Sequence, residues 1–184
     1  MRKVRIAGIG NVLMGDDGIG PFAIKMLESQ YDFQDGLELI DVGTPGLDLP
    51  LYLSGADALI LIDAAQFDSE PGSVRLFRKS DVLRNPLGLR MDPHSPALQE
   101  SLALVELMGK MPSDFLLIGV QGNRFDLGES LTTSVRQAVP RVIDAVLSEL
   151  QRLNVSYCRA ANARQPVIWW DPLPNDYRGN LLCA

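Results

Sequence analysis

The chain has 184 residues, 46% of them hydrophobic and 22% charged, with a formal net charge of −6. Such a chain can bury one sizeable core in a single globular domain. Its acidic balance argues against nucleic acid or an anionic membrane surface as a partner.

The first strand is expected in "KVRIAGIG", apolar and ending in glycine. The N-terminal stretch is too short and too polar to span a membrane, so neither a signal peptide nor an anchor is expected. From Gly18 onward Ile19, Phe22, Ala23, Met26 and Leu27 recur at helical spacing. "LELIDVG" at 37–43 reads as a second strand ending in the turn "GTPG", and Leu47, Leu51 and Leu53 suggest a short helix. "ADALILIDAA" at 56–65 contains a strand apolar on both faces, as buried parallel strands are. "PGSVRLF" at 71–77 alternates after a Pro-Gly turn and reads as an edge or hairpin strand.

Residues 80–95 show no regular pattern. Ser95-Pro96 then looks like an N-cap with proline at the first helical position, and Leu98, Leu102, Val105 and Met108 continue that helix to Gly109. "FLLIGVQG" at 115–122 is another buried strand. A helix from about Thr132 to Leu153 carries Val135, Val139, Val142, Ile143, Val146 and Leu150 on one stripe. Pro140 interrupts it, at a cost of about 3 kcal/mol unless the helix kinks.

Alternating strands and helices give an α/β fold: a three-layer sandwich, a mostly parallel central sheet with helices on both faces. Residues 1–155 form the expected domain. Residues 156–184 lack a period and form a C-terminal tail, partly docked or disordered, because Ile168, Trp169 and Trp170 are costly to leave wet. Cys158 and Cys183 are the only cysteines and make no disulfide framework, so a reduced, cytoplasmic protein is expected.

Residues 8–20, "GIGNVLMGDDGIG", are the most informative stretch. A dinucleotide fingerprint would need a third glycine where Leu13 stands. Asp16 and Asp17 would also compete with a phosphate for the helix N-terminus. One of the two acids could serve as an N-cap. A metal is the third reading. Asp17 follows strand one, Asp63 ends "LILID", and His94, the only histidine, stands in the loop "MDPHSP". Ligand sites in open α/β sheets gather beyond the C-terminal strand ends, so these three could meet there around nickel, zinc or manganese. Each also has a bland use, since strand-end aspartates cap turns and loop histidines are often merely solvated.

The motifs "GIGNVLMGDDGIG", "DVGTPG" (41–46), "LILIDAA" (59–65), "DPHSPAL" (92–98) and "LIGVQG" (117–122) stand in the order seen in the hydrogenase maturation proteases. The chain resembles that family over about residues 3–153. The resemblance implies an endopeptidase that trims the C-terminal extension of a [NiFe]-hydrogenase large subunit after nickel insertion. It implies Asp17, Asp63 and His94 as both metal ligands and catalytic residues, with Asp16 capping or supporting them. Nickel would arrive with the precursor rather than stay bound to the protease. The "GTPG" turn resembles a flexible family loop beside the site.

No Ser-His-Asp set is legible, and neither cysteine has a reason to be activated. A metal-assisted route fits better. The expected partner is the hydrogenase large-subunit precursor, with no nucleic acid or membrane, and the protein is expected to be a monomer. A non-proteolytic metal-binding chaperone could use the same Asp/Asp/His set. A nucleotide-dependent oxidoreductase is the remote third possibility.

Overall fold

The computed structural model describes residues 2–84, 90–91, 96–164 and 166–170. Its sheet has the order β3-β1-β4-β7-β5. The strands are β1 (Val4–Ile9), β3 (Leu37–Gly43), β4 (Ala58–Gln66), β5 (Val74–Arg78) and β7 (Asp114–Gln121). β3, β1, β4 and β7 run parallel, and β5 closes one edge antiparallel to β7. The edge strand expected after the Pro-Gly turn is therefore β5.

β4 is the central strand because its side chains are apolar on both faces. Ala58, Ile60, Ile62 and Ala64 join one core with helices α1 (Ile19–Gln30) and α5 (Thr133–Arg152). Leu59, Leu61 and Ala65 join the other with α2 (Leu49–Leu53) and α4 (Pro96–Leu107). That period of two sets helices on both faces of the sheet, which is the three-layer sandwich. β1 accompanies β4 only to Ile62, while β7 continues to Ala65. The free edge beyond Ile62 is taken by β6 (Arg90–Met91), antiparallel to Ala65 and Gln66.

Three local features differ from expectation. α5 runs unbroken through Pro140, which stands on the exposed side of the helix. There the proline removes one bond from the solvent side and leaves the buried stripe intact. Leu51 in α2 is 71% exposed, so only Leu49 and Leu53 anchor that helix in the core. The irregular region contains a helix, α3 (Lys79–Arg84), besides β6.

The described part of the tail touches the domain at two places. β8 (Tyr157–Arg159) pairs antiparallel with β2 (Tyr31–Phe33), and Tyr31 meets Tyr157 edge-on at 6.0 Å. Ile168 is buried in the α1–α5 core and Trp170 packs against it, while Trp169 is exposed. No helix among the described residues is long and apolar enough to cross a membrane.

Candidate functional site

The site is built on close backbone contacts that only glycine permits. β1 ends at Ile9, and Gly10 turns the chain at φ 135°. A Cβ on Gly10 would lie 1.8 Å from the Asp17 carbonyl oxygen. On Gly20 it would lie 2.2 Å from the Ile9 oxygen and 2.6 Å from the Ile62 oxygen. On Gly8 it would lie 2.4 Å from the Gly20 oxygen. The head of α1 and the preceding 3-10 turn, Gly15–Gly18, thus press directly on the ends of β1 and β4. The glycine spacing that resembles a phosphate loop serves this contact.

Asp17 lies in the 3-10 turn, 4% exposed, and its Oδ2 accepts the Asn11 backbone N–H at 2.6 Å. Asp63 is 2% exposed and stands on β4 one residue past Ile62, where β1 pairing stops. It shares the sheet face of Leu61 and Ala65 and lies in register with Gly119 of β7. Both aspartates therefore stand at the C-terminal edge of the sheet. A carboxylate is kept dry only where hydrogen bonds, an opposite charge or a cation repays its lost hydration.

His94 lies outside the described residues. The segments flanking it are described: Met91 of β6 pairs with Ala65, two residues beyond Asp63, and α4 begins at Pro96. Among the described residues, no three His, Cys, Asp or Glu side chains form a group that could hold a metal ion.

Asp16 is fully buried and departs from the capping expectation. No side chain caps the 3-10 turn or α1. Asp16 instead reaches the loop between β7 and α5. Its Oδ2 accepts from the backbone N–H of Asn123 at 2.9 Å and of Arg124 at 3.1 Å, and from Thr132 Oγ1 at 3.0 Å. Its Oδ1 accepts from the Thr132 backbone N–H at 2.7 Å.

Sequence reasoning missed those partners. Thr132 was legible only as the approximate start of α5; it is the N-cap, its Oγ1 accepting from Val135 N–H, and its bond to Asp16 spans 116 residues. Gln121 was missed as well: its Oε1 accepts from Phe67 N–H at 2.9 Å and its Nε2 donates to the Gly122 carbonyl at 3.1 Å. It ties the segment leaving β4 to the end of β7. In the "GTPG" turn, Gly43 and Gly46 take positive φ of 60° and 55°, and Gly10 N–H donates to the Gly43 carbonyl at 3.0 Å.

Residues 21–149 match the family model described as "Hydrogenase maturation protease". The hydrogenase expression/formation protein HoxM of Azotobacter vinelandii is 36% identical over 154 residues, 83% of this chain and 74% of its own. The hydrogenase 2 maturation protease of Escherichia coli K12 is 27% identical over 83% of this chain and 93% of its own. The solved structure of the E. coli hydrogenase maturating endopeptidase HybD superposes with a TM-score of 0.79 at 26% identity, covering 86% of this chain and 98% of that one. A family match over most of the chain, a relative 36% identical over most of both chains and a shared architecture agree: this chain belongs to the hydrogenase maturation proteases, a family of endopeptidases.

Proposed function

We propose that this endopeptidase removes the C-terminal extension of a [NiFe]-hydrogenase large-subunit precursor after nickel has been inserted, and that it recognises the nickel carried by that precursor. The observation that carries the reading is the pair of dry carboxylates, Asp17 and Asp63, at neighbouring strand ends of one sheet edge. Carboxylate oxygens suit a divalent first-row cation, and an imidazole from His94 would complete a mixed donor set.

In this reading the metal is part of the substrate. Asp17, Asp63 and His94 bind it from the protease side, while the precursor holds it from the other. Those contacts fix the precursor's orientation, so the scissile carbonyl lies where the cation can polarise it or a bound water. The protease has no cleaving assembly until a loaded precursor docks, which makes cleavage a checkpoint on nickel insertion. The reading puts the reaction in the cytoplasm, with a single copy of the chain engaging each precursor and the exposed Cys158 reduced.

The direct test is incubation of the purified protein with a nickel-loaded large-subunit precursor, followed by mass measurement. One cut with release of a C-terminal peptide is expected. An intact precursor that retains the protease in a stable complex would favour a metal chaperone instead.

A further inference from the structure

We propose that Asp16 is a positioning residue for Asp17: it clamps the acidic turn to the β7–α5 loop and so fixes where the Asp17 carboxylate stands. The proposal rests on the reading of Asp17 as a group that meets the substrate's metal.

Both Asp16 oxygens are engaged, by three backbone amides and one hydroxyl. The backbones return the grip. Asp16 N–H donates to the Arg124 carbonyl at 2.9 Å, Gly15 N–H to the Glu129 carbonyl at 3.2 Å, and Gly128 N–H to the Leu13 carbonyl at 2.8 Å. Residues 13–16 and 123–132 are therefore one hydrogen-bonded unit. The loop has few anchors of its own, because residues 126–130 are exposed and only Phe125 and Leu131 are inserted. Thr132 carries the connection into the core, since it caps α5, whose buried stripe packs against the sheet and α1.

The coupling to Asp17 is mechanical. Asp17 is the next residue in a four-residue 3-10 turn, and its N–H donates to the Met14 carbonyl at 3.2 Å. The tight approach of Gly10 to the Asp17 carbonyl leaves no slack on the β1 side. A displaced Asp16 therefore displaces Asp17. The clamp also requires a carboxylate, because four donors converge on two acceptor oxygens. An amide of the same shape offers one acceptor and turns an N–H toward the donors.

The test compares Asp16→Asn, Thr132→Val and Thr132→Ser in the full-length protein. Cleavage of nickel-loaded precursor is measured per folded molecule well below the melting temperature, with kcat and KM separated. Hydrogen exchange is followed across residues 123–132. Loss of a group that orients a metal ligand typically lowers activity about 10- to 100-fold. Asp16→Asn and Thr132→Val are expected to lower kcat by that factor, with KM changed less than about threefold, and to speed exchange in the loop. Thr132→Ser keeps the hydroxyl and is expected to retain most of kcat. A wild-type kcat in Asp16→Asn, a defect confined to KM, or unchanged loop exchange would each overturn the proposal. Should Asp16→Asn fail to fold, the Thr132 pair decides: equal kcat for Val and Ser contradicts the clamp. A wild-type protein that cuts no loaded precursor defeats the functional reading itself, whereas a cutting wild type with an unimpaired Asp16→Asn defeats this proposal alone.

Discussion

Acidic side chains gather at both ends of the sheet, but different donors hold them. At the N-terminal ends of the strands, Arg78 donates to both oxygens of Glu149 at 2.6 and 2.9 Å. Arg152 bonds both Glu149 and Asp114, and Arg2 also reaches Asp114. Burial pushes Glu149 up, yet the bonds from Arg78 and Arg152 outweigh it and hold the carboxyl below its usual range. Arg152 does the same for Asp114 against a smaller burial effect, with help from Arg2. At the C-terminal ends, Asp16 is held by backbone amides and a hydroxyl, and Asp17 accepts an amide from Asn11. Arginines neutralise the charge they hold. Amides and hydroxyls orient a carboxylate without bringing an opposite charge to it. The first end ties α5 to the sheet through ion pairs, and the second is the end that the proposed function assigns to the substrate's cation.

The largest effects are expected from the acids of the second end. Asp17→Asn and Asp63→Asn should abolish precursor cleavage while the thermal melt stays near that of the wild type, because size and shape are kept. Wild-type cleavage in either would remove that residue from the site. His94→Ala should behave likewise, and a large fall in melting temperature would assign the histidine to structure instead.

Next comes Gly10→Ala. The new Cβ meets the Asp17 carbonyl at 1.8 Å on a backbone of φ 135°. A loss of about 2–3 kcal/mol in denaturant unfolding is expected, together with impaired cleavage. A neutral effect would mean that the acidic turn is not pressed against β1.

Glu149→Gln probes the first end. Its partners are 44% and 47% exposed, so solvent screening limits the expected loss to about 1–2 kcal/mol. The sign with pH is definite. A carboxyl lowered by folding stabilises the fold above its unfolded value, about 4.5, and loses that contribution as pH falls through the lower folded value. The difference between wild type and Glu149→Gln should therefore be complete at neutral pH and shrink on acidification below that range. Cleavage per folded molecule should not change. A pH-independent difference would contradict the ionic assignment.

Arg124→Ala is expected to do least. It removes an exposed pair with Glu129, 3.3 Å apart, and leaves the Arg124 amide on Asp16. The melt should show a change of at most about 0.5 kcal/mol.

The strand and helix layers were legible because their apolar periods are strong. β4 and α5 announce themselves in "LILIDAA" and in the stripe from Val135 to Leu150. The β2–β8 pair was not legible: each strand has three residues, too few to display an alternation, and they stand over a hundred positions apart. Of the candidate site, the placing of Asp17 and Asp63 at the C-terminal edge of the sheet was readable from the motifs that hold them. The hydrogen-bond partners of Asp16 were not, since those at 123, 124 and 132 are backbone amides and a threonine hydroxyl far along the chain that leave no mark in a sequence. The glycines misdirect in a similar way, because close packing and phosphate binding ask for the same absent side chain.

The most direct measurement is the cleavage rate of one large-subunit precursor in two forms, nickel-loaded and nickel-free, with the same purified protease. Efficient cutting of the loaded form and an untouched nickel-free form are the expected result. Equal cutting of both would contradict recognition of the cation by the acidic edge.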